Sequence, residues 1–339
     1  MILLDAVYIN NSGGLVLLKY LISITQERKL DIFYLLDSRT QGYFNNLNQE
    51  KVKFIKNSHI ERSKFYLINK DKFHSVLCFG NVPPPLRLKA KVFVYFHQKL
   101  FLEIPNEFSL KEKLIYKIKQ LYLNFYKNNC DKWVVQSQLV RNQFAEKYLN
   151  KKLDNICILP FYPPLNIDIV KPSRTNGSFI YVSNSGPHKN HENLIHAFCE
   201  AYDITKLGSL TLTVPENDFI LNNLINEKVG LGYPILNTGF INREQLSQLY
   251  LSSEYFIFPS LSESFGLGLA EAIDGGCKVI VADLPYAYQV CRPSLTFNPY
   301  TKESIKIAII KAMNEILTDS EKTISNDIDG LILLLSDNI

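Results

Sequence analysis

The chain has 339 residues, enough for two compact domains. Hydrophobic residues make up 46% and charged residues 21%, an ordinary globular balance that excludes a disordered, collagenous or low-complexity chain. With 37 Lys and Arg against 33 Asp and Glu, the net charge of +4 is too small by itself to argue for nucleic acid.

The first segment, Met1 to Ile9, lacks a basic start and carries Asp5, so it reads as a strand and not as a signal peptide. Further strands are expected over 32–36, 75–79, 91–96, 132–135 and 156–159, with helices over 15–28, 109–128 and 137–148. The span 38–74 shows no clear period. Three prolines in Pro160-Phe161-Tyr162-Pro163-Pro164, followed by the polar run Lys171 to Gly177, mark a linker. A second series follows, with strands over 179–183, 209–214, 234–238, 255–259 and 278–282. Its helices fall over 190–202, 217–228, 243–252, 266–274 and 301–317. This alternation predicts two doubly wound α/β domains of Rossmann-like type, their strand carboxyl ends facing one cleft. The expected division is 1–168, 177–322, and a tail helix within 323–339 that packs back on the N-terminal domain.

The six cysteines are scattered without any C-x-x-C pair or metal-ligand spacing, so free thiols in a reducing compartment are expected. No run of 18 apolar residues occurs, and the expected location is the cytoplasm, with or without peripheral contact on the inner face of a membrane. Asp327-Ile328-Asp329 is the sole Asp-x-Asp, and it reads as polar punctuation that starts a helix. Neither a metal nor another cofactor is expected.

The most informative stretch runs from Phe256 to Ala272. A buried strand ends at Pro259, a polar loop carries Glu263, and Phe265-Gly266-Leu267-Gly268 opens a helix that carries Glu271 on its third turn. A helix N-terminus with glycine offers unpaired backbone N–H groups and a partial positive charge, which suits a diphosphate. Carboxylates accept hydrogen bonds from paired hydroxyls, which suits sugars and ribose. An ordinary strand-loop-helix with surface glutamates fits the same residues.

Glu263 and Glu271, with Ser-Phe-Gly-Leu between them, resemble the E-x7-E motif of retaining GT-B glycosyltransferases of family 4. Supporting matches are Tyr181-Val182-Ser183-Asn184-Ser185-Gly186-Pro187-His188-Lys189-Asn190, and Asn237-Thr238-Gly239-Phe240-Ile241 with Leu246 and Leu249-Tyr250. The resemblance covers about 177–318 well. It is weaker in the N-terminal half, where Gly13-Gly14 and Gly80 to Pro84 are its main echoes.

The resemblance implies a GT-B fold and a nucleotide-sugar donor, with a glycan acceptor of the lipid-linked kind used in bacterial surface polysaccharide assembly. It implies that Glu271 holds the donor ribose and that Glu263 contacts the transferred sugar near its reacting carbon. Backbone N–H groups of Phe265, Gly266 and Leu267 hold sugar and diphosphate, while Lys189 neutralises the departing diphosphate. Asn184 lies in the same donor loop, and Gly239-Phe240-Ile241 lines the base pocket. Gly13 and Gly14 form the glycine loop that closes on the diphosphate. The family usually carries an arginine five or six residues before the lysine, where this chain has Asn184 and Ser183; Arg243 either substitutes for it or stands in the first turn of a solvated helix. His97 ends the apolar run 92–96 at a strand's carboxyl edge, either contacting sugar or acceptor or acting as a structural cap. Two other functions compete: a nucleotide-sugar epimerase of GT-B fold, and a non-catalytic glycosyltransferase-like subunit, to which the missing arginine points.

From Arg87 to Lys152 there are 14 Lys and Arg against five Asp and Glu, a local excess of +9. Within it Leu110, Leu114, Ile115, Ile118, Leu121, Tyr122 and Phe125 fall at helical spacing among Lys111, Lys113, Lys117, Lys119 and Lys127. Such a helix packs its apolar stripe on its own sheet with a solvated lysine face, or meets an anionic membrane with that lysine face. Nucleic-acid readout is not expected, because no recognition motif accompanies the patch.

Overall fold

A computed structural model describes residues 1–105, 108–165 and 173–336. The chain forms two compact units, Met1–Pro163 with Ser325–Ile339, and Pro164–Ile324. The expected linker segment 166–172, and the last residues of the tail, 337–339, lie outside the described residues.

The first unit contains β1 (Ile2–Ala6), α1 (Ser12–Glu27), β2 (Ile32–Asp37), β3 (Val52–Ile55), α2 (His59–Asn69), β4 (Ser75–Cys78), β5 (Lys91–Phe96), α3 (Leu110–Tyr126), β6 (Lys132–Val135), α4 (Gln138–Tyr148) and β7 (Ile156–Ile158). All seven strands are parallel, in the order β3-β2-β1-β4-β5-β6-β7. Their apolar runs are buried on both faces, as a sheet covered by helices on two sides demands. Chain order reverses between β1 and β4, the point at which such sheets open a crevice at their carboxyl ends. Serine side chains cap three helices: Ser58 for α2, Ser109 for α3 in a capping box with Glu112, and Ser137 for α4.

The span without a clear period holds β3 and α2. Its pattern is hidden because α2 inverts the usual burial: Arg62 is buried, whereas Ile60, Leu67 and Ile68 are exposed. Arg62 is tolerated inside because its Nε donates to Asp5 Oδ2 at 2.8 Å and its Nη1 to the Pro83 carbonyl at 2.8 Å. Tyr66 donates its hydroxyl proton to the same Asp5 oxygen at 2.6 Å. The first strand ends at Ala6, short of Ile9, because the Ile9 N–H turns back to the Ala6 carbonyl.

The second unit contains β8 (Thr175–Tyr181), α5 (His191–Thr205), β9 (Ser209–Leu212), α6 (Phe219–Gly230), β10 (Ile235–Asn237), α7 (Arg243–Ser252), β11 (Ser253–Phe258), α8 (Leu267–Asp274), β12 (Lys278–Ala282), α9 (Pro285–Tyr288), β13 (Cys291–Arg292), β14 (Leu295–Phe297), α10 (Lys302–Asn314) and β15 (Glu321–Lys322). Its main sheet is parallel, in the order β10-β9-β8-β11-β12-β14, with the reversal between β8 and β11. β13 and β15 pair separately and antiparallel. The polar run read as linker ends earlier than Gly177, since Thr175–Gly177 already belong to β8; the Gly177 N–H is held by the Glu254 carboxylate.

The tail forms α11 (Ile328–Ser336), which belongs to the first unit. The Asp327 N–H donates to the Pro160 carbonyl, and its Oδ1 accepts the Gly330 N–H at 3.0 Å, so Asp327 starts this helix. An Arg28–Asp329 ion pair occupies the second acid of the Asp-x-Asp. Among the described residues no group of three or more His, Cys, Asp or Glu is arranged to hold a metal ion, no helix is long and apolar enough to cross a membrane, and the cysteines are unpaired.

Candidate functional site

The expected site residues fall into two groups, one in each unit. In the second unit, the loop after β8 carries Lys189 and the loop after β11 carries Glu263. These strands are adjacent and flank the point of chain reversal, so residues 74 positions apart in sequence meet. Lys189 Nζ donates to Glu263 Oε1 at 2.6 Å, with both side chains 14% exposed. The loops are tied by their backbones: the His188 carbonyl accepts the Leu261 N–H at 2.7 Å. Asn190, in the left-handed region at φ 62°, donates Nδ2 to the carbonyls of Pro259 and Pro299. Tyr181 donates its hydroxyl to the Lys189 carbonyl, and Tyr286 donates to that of Ser260. Lys189 is thus held by a built loop and is no freely solvated lysine.

Gly266 precedes α8 at φ +76°, a conformation that a residue with a Cβ adopts only at a cost. The N-cap residue, Gly266, has no side chain to cap this helix; its carbonyl takes the Leu269 N–H at 2.9 Å, and the N–H groups of Leu267 and Gly268 at the start of the helix suit an anion. Phe265 and Gly266 are buried beside it and Leu267 is half-buried. Gly268 serves packing: a Cβ there would stand 3.1 Å from Phe256 Cζ. Glu271 falls on the second turn of α8 and not the third, since the helix begins only at Leu267. It is 4% exposed, and Arg243 Nη1 donates to its Oε1 at 2.5 Å. Burial raises the Glu271 carboxyl above its ordinary value, and Arg243 opposes that rise.

Arg243 corrects the sequence reading. It does stand in the first turn of α7, but it is two-thirds buried and directed at Glu271 instead of solvent. The capping box of Asn242 and Gln245 was the available signal, because it fixes where α7 begins and hence which face Arg243 takes. Tyr250, also on α7, lies beside Glu271. Asn184 is exposed in the turn after β8, its carbonyl accepting the Ser183 hydroxyl. After β10, Gly239 is buried at φ +64°, Phe240 is 92% exposed and Ile241 half-buried.

In the first unit, Gly13 and Gly14 lie in the first turn of α1, just after β1. A Cβ on Gly14 would come within 3.2 Å of His97 Cε1, whereas Gly13 faces open space. The glycine turn and His97 therefore touch, next to the reversal between β1 and β4. His97 Nε2–H donates to the Phe79 carbonyl at 3.0 Å, and its ring stacks on Phe79. Its backbone N–H donates to Asn81 Oδ1 at 2.7 Å. One edge of the residue reaches solvent, but the ring is enclosed; burial lowers its pKa to about 4, and the Phe79 carbonyl opposes this only in part. The imidazole is neutral near pH 7 and offers hydrogen bonds but no charge.

Residues 167–326 match the family Glycosyl transferases group 1. The match covers just under half of the chain and contains Lys189, Arg243, Glu263 and Glu271. Over 202 residues the chain is 24% identical to the O-antigen chain mannosyltransferase RfbU of Salmonella typhimurium, covering 57% of this chain and 55% of that protein. It thus spans little more than half the length of this curated relative. Sucrose-phosphate synthase from Thermosynechococcus elongatus superposes with a TM-score of 0.70 at 14% identity, over 93% of this chain and 90% of that one. HepE of Anabaena, solved with UDP and glucose, gives 0.66 at 15% identity, over 93% and 89%. The two parallel-sheet α/β domains are those of the GT-B glycosyltransferase fold, and the family match together with this fold supports a glycosyltransferase.

Proposed function

We propose that the protein is a retaining, metal-independent glycosyltransferase that moves a sugar from a nucleotide-sugar to a glycan acceptor. The observation that carries this reading is the pair of cation-carboxylate contacts, Lys189–Glu263 and Arg243–Glu271, on loops and helices around the uncapped N-terminus of α8. Glu271 has one oxygen held by Arg243 and accepts the donor's ribose hydroxyls on the carboxylate. The α8 N-terminus receives the diphosphate. Lys189 exchanges Glu263 for the leaving diphosphate as charge builds there, and Glu263 is released to the sugar hydroxyls. The departing phosphate takes the acceptor's proton, so no protein nucleophile is required. Phe240 offers an exposed ring for the base. The RfbU likeness supports an acceptor of O-antigen type, and we propose that this acceptor is lipid-linked.

Calorimetric titration of the wild type and Glu271→Ala with a panel of nucleotide-sugars tests this function. Loss of the ribose contacts should weaken the preferred donor by about 1–3 kcal/mol, and transfer should persist in excess chelator. Equal donor affinity in the variant, or activity abolished by chelation and restored by manganese, would overturn the reading.

A further inference from the structure

The helix α3 reverses the arrangement its sequence suggests. At about 100° per residue, Leu110, Leu114, Ile118, Leu121 and Phe125 fall within a sector of roughly 80°. That sector faces away from the sheet: exposures run from 57% at Ile118 to 87% at Leu110, and Leu123, on the opposite side, is the buried residue of the helix. These five residues therefore do not pack on the core, whereas Tyr122 of the same apolar run does. Tyr116, half-buried, and Gln120, which donates to the Leu100 carbonyl, lie on the inward side with Leu123. Exposed Lys111 and Lys117 flank the stripe on its two sides. The neighbouring α2 repeats the pattern. Ile60, Leu67 and Ile68 are each more than half exposed, and Lys64 stands among them. Both helices cover one face of the sheet, since Phe65, Tyr66 and Leu123 share a core, and His59 of α2 bonds Tyr126 of α3.

We propose that α2 and α3 form a docking surface for an anionic lipid bilayer, with the leucine and phenylalanine stripe entering the interface and the flanking lysines meeting acidic headgroups. Five exposed large apolar side chains on one face of a helix, as on α3, are unusual on a protein that meets only water. The exposed lysines beside the stripe, Lys111, Lys117 and Lys64, in a segment of net positive charge, select an anionic membrane over a protein partner, whose contact surfaces are depleted in lysine. Lysine stems reach past apolar side chains while the ammonium stays at the headgroups. The proposal does not depend on the chemistry at Glu263 and Glu271, which an assay with a soluble acceptor reads separately.

The experiment is flotation of the full chain with vesicles of phosphatidylcholine, with and without phosphatidylserine. The wild type should bind the anionic vesicles strongly and the neutral ones weakly. The triple variant Leu114→Gln, Leu121→Gln and Phe125→Gln should lose binding at least tenfold on both, because insertion is removed. Lys111→Gln with Lys117→Gln should lose about tenfold on anionic vesicles only, and salt should mimic it. A Leu114→Trp variant should shift its emission to the blue on anionic vesicles and be quenched by brominated acyl chains, which keeps the test open if the triple variant fails to fold. Undiminished binding of the folded triple variant, no binding by the wild type, or an unquenched Trp would overturn the proposal. So would a stripe-dependent dimer in sedimentation without vesicle binding, which would assign the surface to a second copy of the chain.

Discussion

Replacing Arg243 with Met separates the roles of Arg243 and Glu271 most sharply. The substitution keeps much of the side-chain volume and removes the charge beside a carboxylate that is 4% exposed. Breaking a fully buried pair costs about 3–5 kcal/mol. Arg243 is one-third exposed, so solvent trims the loss to about 2–3 kcal/mol. Spread over a domain of this size, that lowers the melting temperature by about 4–12 °C. The loss has a definite pH dependence. Burial already raises the folded-state pKa of Glu271 above its unfolded value, and losing the guanidinium raises it further. An acid with a raised pKa contributes stability at low pH that is lost as pH rises through the folded pKa. The variant should therefore fall furthest below the wild type at pH 8 and approach it as pH falls toward 4.5, because its Glu271 takes up a proton more readily than that of the wild type. In a Glu271→Gln background the same substitution should cost far less, because no buried charge is left behind. Calorimetric melting of the four proteins at both pH values measures each quantity. An equal loss at the two pH values, or a full loss in the Gln background, would refute the argument.

Lys189→Ala should lower kcat by more than it raises KM, since its charge counts most as the diphosphate leaves; a change in KM alone would make it a ground-state binder. His97 is held neutral, with a pKa of about 4 against an ordinary value near 6.5. The unfolded chain binds the extra proton between these values, so stability should fall by about 2–3 kcal/mol as pH drops from 6.5 to 4, and His97→Asn should flatten that part of a denaturation profile. Gly275→Ala should cost about 1–3 kcal/mol by urea titration, because a Cβ there would stand 2.6 Å from Tyr250 Cβ. Gly42→Ala, with open space around it, should cost far less.

Much of this protein is written in local sequence. Apolar runs fixed at strand length, serine caps and glycine breaks specify the parallel strands and their helices, because backbone hydrogen bonding and burial act over a few residues. The loop from Pro259 to Glu271 was legible for the same reason. It joins a buried strand to a glycine-opened helix, and its two acids stand at a fixed interval. Tertiary structure decided what distant segments do to one another. Lys189 meets Glu263 because β8 and β11 are neighbours at the point of chain reversal, a fact of strand order that neither segment encodes alone. Arg243 meets Glu271 because α7 packs beside α8. Arg62 sits in the core because Asp5 and the carbonyls of Val82 and Pro83 compensate its charge, which inverts the burial of α2. The stripe of α3 has the period of a core-facing helix, and its sequence cannot tell the sheet from a membrane. Periodicity states that a helix has an apolar side; only the packed fold states which way that side points.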